Sequence, residues 1–151
     1  MKTLGIDFGL KRVGLAITDP AGSMAFPHKT IERVERHGQS GRDALFAELV
    51  DIVAHEGVEL IVVGWPAPPD GIDSMTARQA TNFAASMARR VTVPVKLMDE
   101  TLSSSEALDD LRAAGVKQAK RKAILDQQAA VRILQSYIAS PDAARPVERK
   151  Y

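Results

Sequence analysis

Three acidic features of the sequence carry side chains capable of chemistry. Asp7 lies in the apolar run "TLGIDF", and Asp99 and Glu100 end a second apolar run, residues 91–100. Asp126 lies far along the chain in a helical pattern. Burying an unpaired carboxylate costs free energy, so a carboxylate in such a place usually has a partner or a chemical role.

Asp126 belongs to the inward face of a helix predicted over residues 117–139. Residues at helical spacing along this face are mostly small or apolar: Ala119, Ala123, Asp126, Ala130, Ile133 and Tyr137. The stripe predicts that the carboxylate points toward the sheet, among alanines that allow close approach. Two interpretations stay open for Asp126 alone. One is a buried acid paired with Arg or Lys, or capping a backbone group, and the other is a metal ligand.

Taken together, the acids suggest a metal site. Carboxylates from two strand ends and a packed helix can meet in one cluster, where like charges raise each other's pKa or hold a cation. Side chains alternate along a strand, so only one of Asp99 and Glu100 can point the same way as Asp7. An all-oxygen site suits Mg²⁺ or Mn²⁺, and such ions support phosphodiester hydrolysis. We therefore expect Asp7, Glu100 and Asp126 to share a divalent ion.

The elements that would position these acids follow from turn residues and hydrophobic periodicity. Strands are predicted at about residues 2–7, 12–18, 24–31, 58–66 and 91–100, and helices at about 42–56, 74–90, 103–114 and 117–139. The third strand contains Pro27 and is expected at a sheet edge. The first three strands form an antiparallel meander and the last two are parallel. This order predicts an α/β fold with a mixed five-stranded sheet flanked by helices.

Length and composition limit the possible classes. The chain has 151 residues, no cysteine and a net charge of +1 at pH 7. This length predicts a single domain, residues 1–139, followed by a flexible tail at 140–151. The lack of cysteine excludes disulfides and thiolate metal sites and agrees with a cytoplasmic location. No apolar run is long enough to span a membrane, and the first residues do not form a secretory signal.

Two groups of cations could contact phosphates beside the acids. Lys11 and Arg12 lie in the turn after Asp7, and Lys120, Arg121 and Lys122 lie at the start of the helix that carries Asp126. Cations at a helix N-terminus oppose its dipole, so the second group does not stabilise the helix there. Phosphate contacts would position a nucleic acid without reading its sequence. A solvated hairpin tip and a solvated helix start are the alternatives.

Four ordered motifs carry a resemblance to a known family. "GIDFGLKRVGLAITDP", "IVVGWP…DG", "DETLSS" and "KRKAILDQQAAVRILQSYI" resemble the YqgF family over about residues 2–139. Its members are described as pre-16S ribosomal RNA nucleases and as Holliday junction resolvases. The resemblance implies a ribonuclease H-like fold with the acidic site at Asp7, Glu100 and Asp126. Thr101 replaces the arginine usual in the family, and "APPDG" replaces its usual polar segment.

Three functions remain to be distinguished. The first is a metal-dependent endonuclease that cuts structured RNA, in maturation of the 5′ end of pre-16S rRNA, with the small ribosomal subunit precursor as its partner. The second is a resolvase of branched DNA, which would act as a homodimer rather than a monomer. The third is a non-catalytic nucleic-acid-binding factor in ribosome assembly or transcription. An actin-like ATPase would need a second nucleotide-binding domain, for which the chain has no room.

Overall fold

The computed structural model describes residues 1–9, 11–33, 41–65, 75–99 and 118–147, with helix side chains from Asp43, Ala77 and Asp126 onward. In chain order the elements are β1 Thr3–Phe8, β2 Arg12–Thr18, β3 Ala25–Glu32, α1 Gly41–Glu56, β4 Leu60–Trp65, α2 Met75–Arg90, β5 Val95–Asp99, α3 Gln118–Ala139 and β6 Arg145–Pro146. Most predicted boundaries agree within two residues. Strand β5 is four residues shorter at its start, where residue 91 still bonds to the end of α2.

One mixed sheet contains all of these strands, in the order β3-β2-β1-β4-β5-β6. The pairs β1–β2 and β2–β3 are antiparallel, and β1–β4 and β4–β5 are parallel. The meander, the parallel pair and the edge position of β3 are thus confirmed. Strand β1 lies centrally between β2 and β4, so both of its edges are hydrogen-bonded to neighbouring strands.

Each face of the sheet packs against different helices because side chains alternate along the strands. Leu4 and Ile6 of β1 belong to a core that includes Leu49 of α1 and Met87 of α2. On the opposite face, side chains of β2, β4 and β5 pack against α3, and Leu134 of α3 is fully buried there. The acidic site belongs to the α3 face.

The sheet has one more strand than the sequence predicts. Residues 141–143 form a 3₁₀ turn, and Arg145–Pro146 then pairs antiparallel with Lys96 and Leu97 of β5. These residues lie within the segment predicted as a flexible tail. Short strands of two residues carry no periodicity, so the hydrophobic pattern could not reveal the pairing. The predicted helix over 103–114 lies outside the described residues.

Candidate acidic site

Asp7 lies near the end of β1 on the face that packs against α3. It is the cross-strand partner of Gly14 in β2. Two residues earlier on the same face, a Cβ added at Gly5 would lie 2.6 Å from Leu134 Cγ of α3. Because residues two apart in a strand point to the same face, the Asp7 side chain also points to the α3 side of the sheet.

Asp126 reaches the same place because its helix lies directly against β2. A Cβ added at Gly14 would overlap the backbone carbonyl of Asp126 and lie 2.8 Å from the Asp126 Cβ. Gly14 therefore contacts Asp126 from the helix and pairs with Asp7 from the neighbouring strand. The structure thus brings Asp7 and Asp126 to one end of one sheet face, although 118 positions separate them in the chain.

Asp126 forms an ion pair with Arg12, the first residue of β2. Arg12 Nε donates a hydrogen bond of 2.9 Å to Asp126 Oδ2. The side chains of Arg12 and Asp126 are 32% and 21% exposed, so the pair is shielded but still reached by water. A carboxylate has two oxygens with about four lone pairs, so one bond to Arg12 leaves capacity for a further ligand.

Burial controls the protonation of Asp126. Desolvation raises the pKa of this carboxyl above its usual value, while the hydrogen bond and positive charge of Arg12 act in the opposite direction. A raised pKa means that the folded protein holds the proton more tightly than the unfolded chain. The resulting stabilisation is present in full below the unfolded-state pKa and is lost as the pH rises through the folded-state pKa. Holding Asp126 ionised at neutral pH therefore opposes folding.

We expect Arg12→Ala to raise the pKa of Asp126 further. The substitution removes both effects that lower this pKa and keeps most of the desolvation that raises it. A ¹³C NMR titration of the side-chain carboxyls would show the resonance of Asp126 shifting at a higher pH than in the wild type. Lys11→Ala is the matched control, since Lys11 is an exposed cation one position away. An unchanged or lowered pKa of Asp126 in Arg12→Ala would contradict the ion pair as described.

The structure separates Asp99 from the other acids. Met98 packs against α3, whereas Leu97 packs on the α1–α2 side of the sheet. By alternation Asp99 points to the α1–α2 side, away from Asp7 and Asp126. Glu100 lies outside the described residues, and its part in the site stays a prediction. In the described part of the chain no three acidic or histidine residues form a metal-binding group.

The predicted phosphate-binding cations are placed unequally. Lys11 is exposed in the turn between β1 and β2, whereas Arg12 is half-buried against Asp126. Lys120, Arg121 and Lys122 occupy the first turns of α3, and their side chains lie outside the described residues. The cluster therefore precedes Asp126 on the same helix, and its contact with a nucleic acid stays a prediction.

Sequence reasoning missed two contacts that fix α3 on the sheet. The sequence predicts that Arg12 binds phosphate, whereas the structure pairs it with Asp126, in agreement with the interpretation of Asp126 as an acid paired with arginine. Gln127 lies outside the predicted inward stripe, yet its Nε2 donates a hydrogen bond of 3.1 Å to Thr30 Oγ1. Thr30 pairs with Gly14 across β2 and β3, so a helix seated on Gly14 also reaches Thr30. Gly14 of β2 is the sequence signal that could have indicated this close approach of the helix to the sheet.

The donor set fits a hard divalent cation. Asp7 and Asp126 supply carboxylate oxygens on one face, and oxygen ligands are what Mg²⁺ and Mn²⁺ prefer. The positive charge of Arg12 also offsets the negative charge of Asp126. The two acids can therefore lie on one face of the sheet without a metal ion between them. Bound there, a metal ion would supply a polarised water and charge neutralisation for phosphodiester chemistry.

The sheet order and the acids on its first strand and last helix define a protein of the ribonuclease H-like fold. RuvC of Thermus thermophilus, in a structure titled as a complex with Holliday junction substrate, aligns with a TM-score of 0.57 and 18% identity, covering 97% of this chain and 99% of that one. Fowlpox virus resolvase, titled as bound to Holliday junction DNA, aligns with a TM-score of 0.55 and 11% identity, covering 93% and 99%.

A family model narrows this class. The model described as "RuvX: Holliday junction resolvase" matches residues 1–140, and the chain belongs to this family, in agreement with the YqgF motifs. A relative from Nitratidesulfovibrio vulgaris (strain DSM 19637 / Miyazaki F), named "Putative pre-16S rRNA nuclease", is 50% identical over 96% of this chain and 98% of its own. A relative of the same name from Geobacillus thermodenitrificans is 40% identical over 93% of this chain and 99% of its own.

No helix in the described residues has the length and hydropathy to cross a membrane.

Proposed function

We propose that this protein is a metal-dependent endonuclease that hydrolyses phosphodiester bonds in structured RNA, with the precursor of 16S rRNA as its substrate. The observation that carries the proposal is the meeting of Asp7 and Asp126 around Gly14, at one end of one sheet face. Relatives up to 52% identical carry the name "Putative pre-16S rRNA nuclease", which supports the substrate.

In this proposal each residue has a defined role. Asp7, Glu100 and Asp126 hold Mg²⁺ or Mn²⁺, which supplies the polarised water and charge neutralisation described above. Arg12 is a positioning residue, since its bond to Oδ2 fixes the rotamer of Asp126. Lys11, with Lys120, Arg121 and Lys122, binds phosphates of the RNA backbone on either side of the site.

A second candidate is resolution of four-way DNA junctions, which the description of the family model favours. The same acids would carry that reaction, because the chemistry at the phosphate is the same. Two symmetric cuts need two sites, so this function requires a homodimer. The distinction between the two candidates therefore lies in the substrate and the oligomeric state.

A cleavage assay with both substrates tests the proposal. We expect the purified protein with Mg²⁺ or Mn²⁺ to cut a pre-16S RNA fragment, to leave a four-way DNA junction intact, and to lose all cutting in EDTA. Faster cutting of the junction would favour the resolvase, and analytical ultracentrifugation would then show a dimer.

If neither substrate is cut, the protein would be a non-catalytic binding factor. Thermal unfolding with and without metal tests this alternative. A metal at one hundred times its Kd stabilises the fold by about 2.7 kcal/mol, which raises the Tm by about 5–10 °C for a chain of this size. A binding factor without a metal site has no reason to show such a rise. A flat Tm together with no cleavage would contradict the proposed function.

A further inference from the structure

A second concave site lies on the sheet face opposite the acids. Its volume is about 200 Å³, and Phe8 of β1 lines it together with side chains of α1 and α2. Phe8 directly follows Asp7, and consecutive strand residues point to opposite faces. The pocket and the acidic site therefore share the same end of β1 and lie on its two sides.

The apolar wall of this pocket is a stack of three aromatic rings. The Phe8 and Phe83 ring centroids are 4.4 Å apart at an interplanar angle of 14°, and those of Phe46 and Phe83 are 5.5 Å apart at 16°. Phe46 and Phe83 are almost fully buried, whereas Phe8 is half-buried and presents part of its ring. A guanidinium lies over each outer ring of the stack, with Arg33 Cζ 5.1 Å from the Phe8 centroid and Arg90 Cζ 4.1 Å from the Phe46 centroid.

The polar rim of the pocket consists of two amides and a guanidinium. Gln79 and Asn82 lie one turn apart on α2, and within the described residues neither amide makes a hydrogen bond to the protein. Each amide offers both donors and an acceptor. The Arg33 guanidinium lies 5.1 Å from the Phe8 ring centroid, and its Nη1 donates to Gly9 O at 3.3 Å.

We propose that this pocket binds one unpaired nucleobase of the nucleic acid that the acidic site cuts, a proposal that rests on the proposed function. The base stacks on the Arg33 guanidinium, which lies over the Phe8 ring, and its edge offers donors and acceptors to Gln79 and Asn82. Pockets for drug-sized ligands have volumes of about 300–1,000 Å³, so this smaller pocket suits one ring system.

The position of the pocket selects the class of substrate. Lys11 is exposed in the turn that joins the two sides, and its carbonyl oxygen accepts a hydrogen bond of 2.9 Å from Arg33 N. A strand that rounds this turn can place a base in the pocket while its backbone passes Asp7. A continuous duplex keeps its bases stacked and paired, so it would have to extrude one at a cost in free energy. The substrate is thus an RNA with an unpaired base beside the cut bond.

Binding measured in EDTA tests the pocket without cleavage. The probes are an RNA hairpin with 2-aminopurine in its loop and a blunt RNA duplex of the same length, followed by fluorescence anisotropy. For the double variant Gln79→Ala/Asn82→Ala we expect about tenfold weaker binding of the hairpin and less than twofold weaker binding of the duplex. Gln135→Ala removes an exposed amide from α3 and is the matched control, with both affinities unchanged.

A second measurement identifies what the pocket recognises. In NMR titrations, AMP should shift the ring resonances of Phe8 and Phe83, and ribose 5-phosphate, which lacks the base, should not. Equal shifts from both probes, shifts from neither, or equal losses of affinity for hairpin and duplex would each overturn the proposal. Cleavage plays no part in these readouts, so loss of the proposed nuclease function would leave them unaffected, and the two failures are distinguishable.

Discussion

We expect Asp7→Asn to abolish RNA cleavage while the protein keeps its fold and its affinity for RNA. Asn has the shape of Asp but lacks the charge that holds a divalent cation. Metal assistance contributes several kcal/mol to such reactions, which at about 1.36 kcal/mol per factor of ten corresponds to a loss on the order of 10³-fold. Single-turnover cleavage with saturating enzyme and Mg²⁺ measures the chemical step directly, and thermal unfolding checks the fold.

Asp99→Asn is the matched control for this experiment. It removes the same charge from the end of a nearby strand, but its side chain points to the α1–α2 side of the sheet and is exposed. We expect its cleavage rate to stay within twofold of the wild type. A normal rate in Asp7→Asn, or equal losses in both variants, would contradict the assignment of Asp7 to the catalytic site.

Gly14→Ala should damage both stability and cleavage. The added Cβ overlaps the backbone carbonyl of Asp126, and a helix backbone cannot rotate out of the way as a side chain can. Overpacking of this kind costs about 1–3 kcal/mol, which lowers the Tm by about 2–12 °C for a chain of this size. The displaced helix also moves Asp126 away from Asp7, and an error of about 1 Å can cost about 10²-fold in rate.

Gly57→Ala separates lost stability from lost geometry. Gly57 follows α1 with a φ of +65°, and its Cβ would meet nothing within 4 Å. Alanine there is strained by about 1–2 kcal/mol and touches no part of the site. At a temperature where both variants are fully folded, we expect normal cleavage from Gly57→Ala and slow cleavage from Gly14→Ala. Normal cleavage from Gly14→Ala would show that its close contact with Asp126 is unimportant to the reaction.

The parts of the fold that the sequence predicts are those with a strong local signal. The apolar run of β4 and the helical spacing of α1 each identify an element without reference to the rest of the chain. The inward position of Asp126 was predictable for the same reason, since Ala130 and Ile133 on its stripe are fully buried. Pro27 likewise placed β3 at the edge, because a proline lacks the donor that a central strand needs.

The parts that escaped prediction depend on contacts between distant residues. Arg12 and Asp126 are both charged, and only the seating of α3 on Gly14 decides that they bond to each other. The pairing of Arg145–Pro146 with β5 has too few residues to produce a pattern. The pocket at Phe8 required α1 and α2 to be placed together, since its aromatic wall joins three elements far apart in the chain.

The short strand β6 also affects how copies of this protein behave at high concentration. It covers part of the outer side of β5, where Val147 N also donates to Val95 O at 2.8 Å, so backbone groups there are already engaged. On the other side of the sheet, β3 carries Pro27 next to Phe26, which is 45% exposed. An exposed apolar residue on an edge strand favours self-association. The adjacent proline lacks a backbone N–H, so it limits pairing with a strand from another copy. Each edge of the sheet thus has a feature that opposes strand-to-strand aggregation: β6 pairs with β5 on one side, and Pro27 interrupts β3 on the other.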